Sequence, residues 1–269
     1  CGALTLAAAS GKAGQGVALL RQGQTAAGIA AVEQAAAYNP LQGDYNFLMA
    51  QIRQAQGDHD AALAEIERAI RKSRYNPAYY ELRAHIHHAR GEYGAAVAGA
   101  EEAVAKAPLN RDRYESLVRI YFLAGYGELG SGNEAAARGY FQAALAVPER
   151  MAAITEGLTE TRARLWSGKR LTVTRDMQLP LGASRYFLGD FDAAAAALEE
   201  AAQTKDEAAR GEALAWLAAV AGARGETERA EELLAEAGEL NPEAAQLYAQ
   251  IGGLPVLAAE EEEGEGEEV

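Results

Sequence analysis

Gly23, Gly57 and Gly91 recur at intervals of 34 residues, each between two runs of apolar residues at helical spacing. The same interval relates Gly28, Ala62 and Ala96, then Val32, Ile66 and Ala100, then Gly16, Ala50 and Ala84, and finally Ala35, Ala69 and Ala103. A unit of this length is one helix–turn–helix, which has no core of its own and must stack on its neighbours to bury its apolar face. The residue types fit their places. Glycine after the first helix lets the chain stop and reverse in the left-handed region. Alanine or glycine at the other recurring sites keeps facing helices thin, so that their backbones approach closely. Pro40 and Pro108 close the second helix, because proline fixes φ and carries no N–H; Arg74 holds that place in the copy between them. Residues 43–76 and 77–110 are the two regular copies.

This pattern resembles the tetratricopeptide repeat, and the resemblance implies an all-α chain wound as a right-handed helical solenoid. Composition agrees. Apolar residues make up 49%, much of it alanine, and only 7% are aromatic, which suits helix-on-helix packing rather than a sheet core. Residues 1–12 read as an apolar N-terminal segment outside the pattern, with helix beginning near Ala13. Residues 13–148 hold four repeats, the fourth extended. Its turn glycine occurs twice, at Gly125 and Gly132, and the seven residues separating them are two helical turns, which keep one face inward. The second helix of that repeat is expected to stop at Pro148 and another to span Met151 to Trp166. Residues 149–180 read as an irregular joint, with a helix kinked at Pro180 or starting there. Residues 181–251 resume the repeat and end in a closing helix, and 252–269 form an acidic tail.

The formal charge is −14, from 39 acidic and 25 basic residues, and seven glutamates between Glu260 and Glu268 supply half of it. Nucleic-acid phosphate would be repelled, so DNA and RNA are excluded as partners. The Glu/Gly-rich tail has the composition of disordered chain. The sole cysteine is Cys1, so no internal disulfide forms. A cysteine at residue 1 fits lipoprotein maturation, in which that residue is lipid-modified, and it also fits a plain cleavage boundary. The apolar run from Ala3 to Ala9 is far short of the ~20 residues that span a membrane, so membrane contact is limited to an N-terminal anchor.

Chemistry-bearing residues are sparse. No Gly-x-Ser-x-Gly elbow, Gly-rich phosphate loop or His-Glu-x-x-His pair is present. The acidic pairs Glu101–Glu102, Glu199–Glu200 and Glu231–Glu232 lie beside alanine faces as solvated helix surface. No catalytic residue and no cofactor is assigned. His85 and His88, three apart, share a helix face as two metal ligands might be spaced, but no third ligand has matching spacing and no metal is expected. The repeat register puts Phe47, Gln51, His85, His88, Arg119, Phe122, Tyr186 and Phe187 on the concave side. That surface is expected to bind a peptide segment or a cell-surface glycan, since aromatic faces stack on both. It lacks the lysine, arginine and asparagine set with which chaperone-binding tetratricopeptide grooves clamp C-termini.

Three boundary motifs form a further set: Tyr38-Asn39-Pro40-Leu41-Gln42-Gly43-Asp44-Tyr45, Arg74-Tyr75-Asn76-Pro77-Ala78-Tyr79-Tyr80 and Ala107-Pro108-Leu109-Asn110-Arg111-Asp112. With the long fourth repeat and the late motif from Leu181 to Phe191, they resemble the C-terminal region of O-antigen ligase-like or polymerase-like membrane proteins of Gram-positive bacteria. The resemblance covers residues 13–245 and implies an extracytoplasmic domain, at the cell surface or released from it. The glycan-transferring residues of such proteins lie in their membrane part, so none carries over. The role this implies is a non-enzymatic interaction and assembly module. Ala3, Leu4 and Leu6 near one end and Leu254, Val256 and Leu257 near the other are apolar and need a cover. Head-to-tail contact between copies supplies one and builds a filament or tube. The alternative is a monomeric lipoprotein or scaffold that binds another protein, or a glycan, in its groove.

Overall fold

A computed structural model of the chain describes residues 2–166 and 168–257. All regular structure among the described residues is helical, and the chain divides into two compact units, Cys1–Pro108 and Leu109–Val269.

The first unit is three antiparallel helix pairs: α1 (Gly2–Arg21) with α2 (Thr25–Tyr38), α3 (Gly43–Ala55) with α4 (His59–Lys72), and α5 (Pro77–Ala89) with α6 (Tyr93–Lys106). The helix starts follow from local chemistry. The Asp58 side chain accepts from the Ala61 N–H at 3.1 Å, and Asn76 accepts from Ala78 at 3.1 Å with Pro77 at the first helical position. The turn glycines Gly23, Gly57 and Gly91 have φ of 76°, 76° and 73°, as the register requires. Ala50, Ala62, Ala69, Ala84, Ala96 and Ala100 are buried where the pairs meet. One expectation fails. Helix begins at Gly2, not near Ala13, because the alanine- and leucine-rich opening is strong helix-forming sequence without a breaker. Ala9 is thereby buried against Val32, Ala35, Tyr45, Met49 and Ile52.

The second unit contains α7 (Arg111–Gly130), α8 (Glu134–Glu156), α9 (Glu160–Leu165), α10 (Arg175–Phe187), α11 (Phe191–Ala201), α12 (Glu207–Ala223), α13 (Thr227–Leu240) and α14 (Ala244–Gly252). Pairs α7/α8, α10/α11 and α12/α13 repeat the pattern, with Gly132, Gly189 and Gly225 turning at φ of 78°, 81° and 78°. α7 extends through Gly125 and turns only at Gly132, so the extension is helix. α10 packs directly on α7 and α8, and the compact division falls at Pro108. α14 closes the stack against α12 and α13.

Two prolines lie inside helices. α8 does not stop at Pro148 but runs on to Glu156, since Ala144, Val147 and Met151 are buried on either side of it and their packing outweighs the missing hydrogen bond. Replacing Pro148 by alanine restores an N–H to the helix and should raise stability by about 2 kcal/mol, the propensity gain less the loss of unfolded-state restriction; urea titration reads this directly. α10 starts at Arg175 and passes through Pro180, with the buried Ser184 hydroxyl donating to the Pro180 carbonyl at 2.7 Å.

Candidate functional site: a cleft in the second unit

α7, α10 and α12 are the first helices of their pairs, and together they wall a cleft of about 370 Å³. Arg119, Phe122 and Leu123 come from α7, Leu179 and Pro180 with Arg175 and Asp176 from α10, and Ala209 and Glu212 from α12. Ala201 and Thr204 close one side. The walls are fixed from behind by an aromatic core. Trp216 on α12 meets Phe122, Tyr186 and Phe187 edge-on at ring separations of 5.8, 5.9 and 5.6 Å, and Phe187 stacks on Phe141 at 5.1 Å. Pro180 also withholds the N–H that would have bonded the Asp176 carbonyl, leaving that acceptor free of its usual helical partner on the cleft wall.

The cleft carries two cations, Arg119 and Arg175, and two carboxylates, Asp176 and Glu212, around apolar side chains. Glu212 is half-buried, and burial pushes its carboxyl above the ordinary range while Arg119 pulls the other way. The stability consequence has a definite sign. The ionised form is the strained one, so the penalty is absent below the ordinary carboxylate pKa of 4.5 and grows as pH rises through the raised value. Glu212→Gln is expected to be more stable than the parent at neutral pH, with the gap closing toward about pH 4. Paired urea melts across that range test it; a gap independent of pH would contradict the assignment.

A larger hollow of about 600 Å³ lies between α11, α12 and α13. Its three arginines are each paired: Arg210 with Glu236 at 2.6 Å, Arg224 with Asp192, and Arg229 with Glu232 at 3.3 Å. The smaller cleft is the better candidate because it holds a carboxylate disfavoured as an ion by burial, two cations and apolar walls in one place.

The residues of the concave set expected from the register are placed as follows within each unit. Arg119 and Phe122 do line the cleft. Tyr186 and Phe187 do not, because both are buried in the aromatic core behind it. In the first unit, Phe47 packs on Tyr79 at 5.3 Å, Gln51 borders a shallow hollow with Leu20, Thr25 and Ile52, His85 is half-buried, and half-buried His88 packs on Tyr93 at 5.8 Å. The neighbouring His87 has its Nδ1 2.6 Å from Glu92 Oε2. Hydrogen bonds from His87 and then Arg90 hold the Glu92 carboxyl below its ordinary range. Among the described residues no three His, Cys, Asp or Glu are arranged to hold a metal, and no helix is long and apolar enough to cross a membrane.

The apolar ends also separate. Leu6 is exposed on α1, while Cys1 and the side chains of Ala3 and Leu4 lie outside what is described. Leu254 and Val256 pack on the core of their own unit, and Leu257 is only 3% exposed. Its N–H donates to the Phe187 carbonyl at 2.6 Å and its carbonyl accepts from Arg138 at 2.9 Å. Leu257 is thus covered by its own unit, while Leu254 and Val256 are half-buried. The acidic tail from Ala258 lies outside the described residues.

Glu212 was missed by sequence reasoning, although a signal existed. It is the only charged residue between Gly211 and Ala223, an otherwise apolar helix.

Comparison with known proteins accords with this architecture. The tetratricopeptide-repeat family matches residues 14–77 and 47–111. No curated protein gives a significant match. Among solved structures, PilF of Pseudomonas aeruginosa is 15% identical with a TM-score of 0.58, over 91% of this chain and 97% of that one. A thermophilic tetratricopeptide protein of Thermus thermophilus is 21% identical with a TM-score of 0.54, over 78% and 97%. The APC/C hetero-tetramer Cut9–Hcn1 contains a chain 17% identical with a TM-score of 0.57, covering 90% of this chain and 42% of that one. Likeness at such identities speaks to fold alone. Residues 14–111 thus match the tetratricopeptide-repeat family, and the all-helical fold of the described residues resembles that of a solved tetratricopeptide protein.

Proposed function

We propose that this chain is a non-enzymatic interaction module that holds an extended segment of a partner protein in the cleft between α7, α10 and α12. The observation that carries this reading is the coincidence of apolar walls (Phe122, Leu123, Leu179) with two carboxylates, Asp176 and Glu212, the second disfavoured as an ion by burial. An extended peptide supplies both complements at once, apolar side chains for the walls and backbone N–H groups for the acceptors. A glycan fits less well, because Phe122 presents only part of its ring and no open aromatic platform faces the cleft.

The test is selection of peptides from a random library on the full chain, followed by affinity measurement on Leu123→Asp and on Arg119→Ala with Glu212→Gln. Ligands of the cleft should lose about tenfold or more in affinity with each, a loss of about 1.4 kcal/mol per decade. Selected peptides that bind all variants equally would place recognition elsewhere. An extracytoplasmic location, by release from an O-antigen ligase-like membrane protein, extends this proposal on the strength of the boundary motifs alone. Recovery of the native protein solely in the cytosolic fraction would remove that part and leave the cleft untouched.

A further inference from the structure

Four cations at one edge of the first unit have no carboxylate partner among the described residues. Arg71 and Lys72 end α4, Arg74 and Tyr75 lie in the link to α5, and Lys106 ends α6, all of them exposed. Residues 68–80 contain four basic side chains and no acid, in a chain of net charge −14. The nearest carboxylates are engaged elsewhere: Glu65 accepts from Arg68 and Asn46, and Asp44 from Gln42 and Tyr79. Lys72 reaches only the neutral Asn46 Oδ1, at 2.6 Å. Arg74 bonds the Tyr75 hydroxyl at 2.8 Å and lies 4.9 Å from the ring centre, while Lys106 Nζ lies 5.9 Å from that ring and 5.2 Å from Tyr80. Arg68, Arg83 and Arg90 of the same unit each have an acidic partner, whereas Lys12 and Arg53 bond only glutamines. The edge is apolar as well as cationic. Tyr75 is 68% exposed, and Leu41, one repeat earlier at the equivalent place, is 84% exposed.

We infer that this edge docks residues 258–269 of a second copy of the chain. Those twelve residues carry seven glutamates and no basic side chain, the densest negative run in the sequence, and are opposite in charge to the run at 68–74. Leu257, where they begin, is pinned by its backbone to the second unit, so a docked segment joins one copy's second unit to another copy's first. Twelve extended residues reach about 40 Å. The contact is heterologous, one end of a copy on a different surface of the next, and therefore builds open chains or rings. Exposed ion pairs are individually weak and screened by salt, so binding depends on several forming together.

The experiment uses the full chain. Sedimentation velocity at micromolar to near-millimolar concentration should show concentration-dependent association that weakens about tenfold or more between about 50 mM and about 500 mM salt. The variant Arg71→Glu, Lys72→Glu, Arg74→Glu, Lys106→Glu, checked for unchanged helicity, should be monomeric. A second measurement does not depend on that variant. Equal parts of isotopically light and heavy chains are coupled with a carbodiimide, which joins only touching amines and carboxylates, and mass spectrometry then locates the links. Links from Lys72 or Lys106 to glutamates 260–268 that join light to heavy chains support the inference. A monomer at all concentrations, association unaltered by the charge reversal, or links confined to single chains would each overturn it.

Discussion

Replacing Trp216 by alanine is expected to destabilise the second unit by about 3–5 kcal/mol, a large share of what holds a domain of this size together. Trp216 is 1% exposed and is the point where the rings of Phe122, Tyr186 and Phe187 converge. Removing it takes away the apolar burial of the side chain and leaves a cavity that three aromatic neighbours, each already held by another contact, cannot collapse to fill. Trp216→Phe is the matched control. The indole Nε1 is buried without a hydrogen-bond partner among the described residues, so phenylalanine gives up volume but no hydrogen bond, and should cost less than about 1.5 kcal/mol. The effect also reaches the cleft, because Phe122 is both a wall of it and a neighbour of Trp216. Urea titration followed by circular dichroism measures the stability, and the selected peptides measure the cleft. A loss under about 1 kcal/mol for the alanine variant would mean that the aromatic cluster is not the core of this unit.

The repeat register made most of the fold legible, because it is set by residues whose role is local. Gly57 or Gly91 needs only its own turn to be readable, and each recurs at a fixed interval. The same holds for the buried alanines, which mark close helix approach wherever they occur. Legibility ended where two competing local signals had to be decided by distant packing. Pro148 and Pro180 are helix breakers in isolation, yet both lie inside helices held by buried neighbours. The site suffered more. Tyr186 and Phe187 are adjacent on a helix and point about 100° apart, so a single groove cannot take both; here the last turn of α10 is enclosed by α11, α12 and the returning chain at Leu257. Arg119 and Phe122, three apart, do share a face, and they are the two that reached the cleft. Glu212 was visible as a lone charge in an apolar helix, but which way it faced depended on α7 and α10, far away in sequence.

Gly125 was the other undecided signal, and it carries the second large prediction. The chain passes it by as a turn because α7 continues to Gly130 and Phe141 of α8 occupies the space beside it. A Cβ added at Gly125 would lie 2.6 Å from the Phe141 ring, which is itself stacked on Phe187 and has no room to withdraw. Gly125→Leu should therefore cost about 3 kcal/mol, the upper end of what over-packing exacts, even though leucine is the better helix former. Gly130, in the same helix, has nothing within 4 Å of a Cβ, so Gly130→Ala should instead stabilise by about 0.5–1 kcal/mol. The opposite signs separate steric contact from helix propensity, since propensity alone predicts a gain at both positions. Urea titrations of the two variants against the parent decide between them. Stabilisation by both substitutions would show that α8 does not pack on α7 through Phe141.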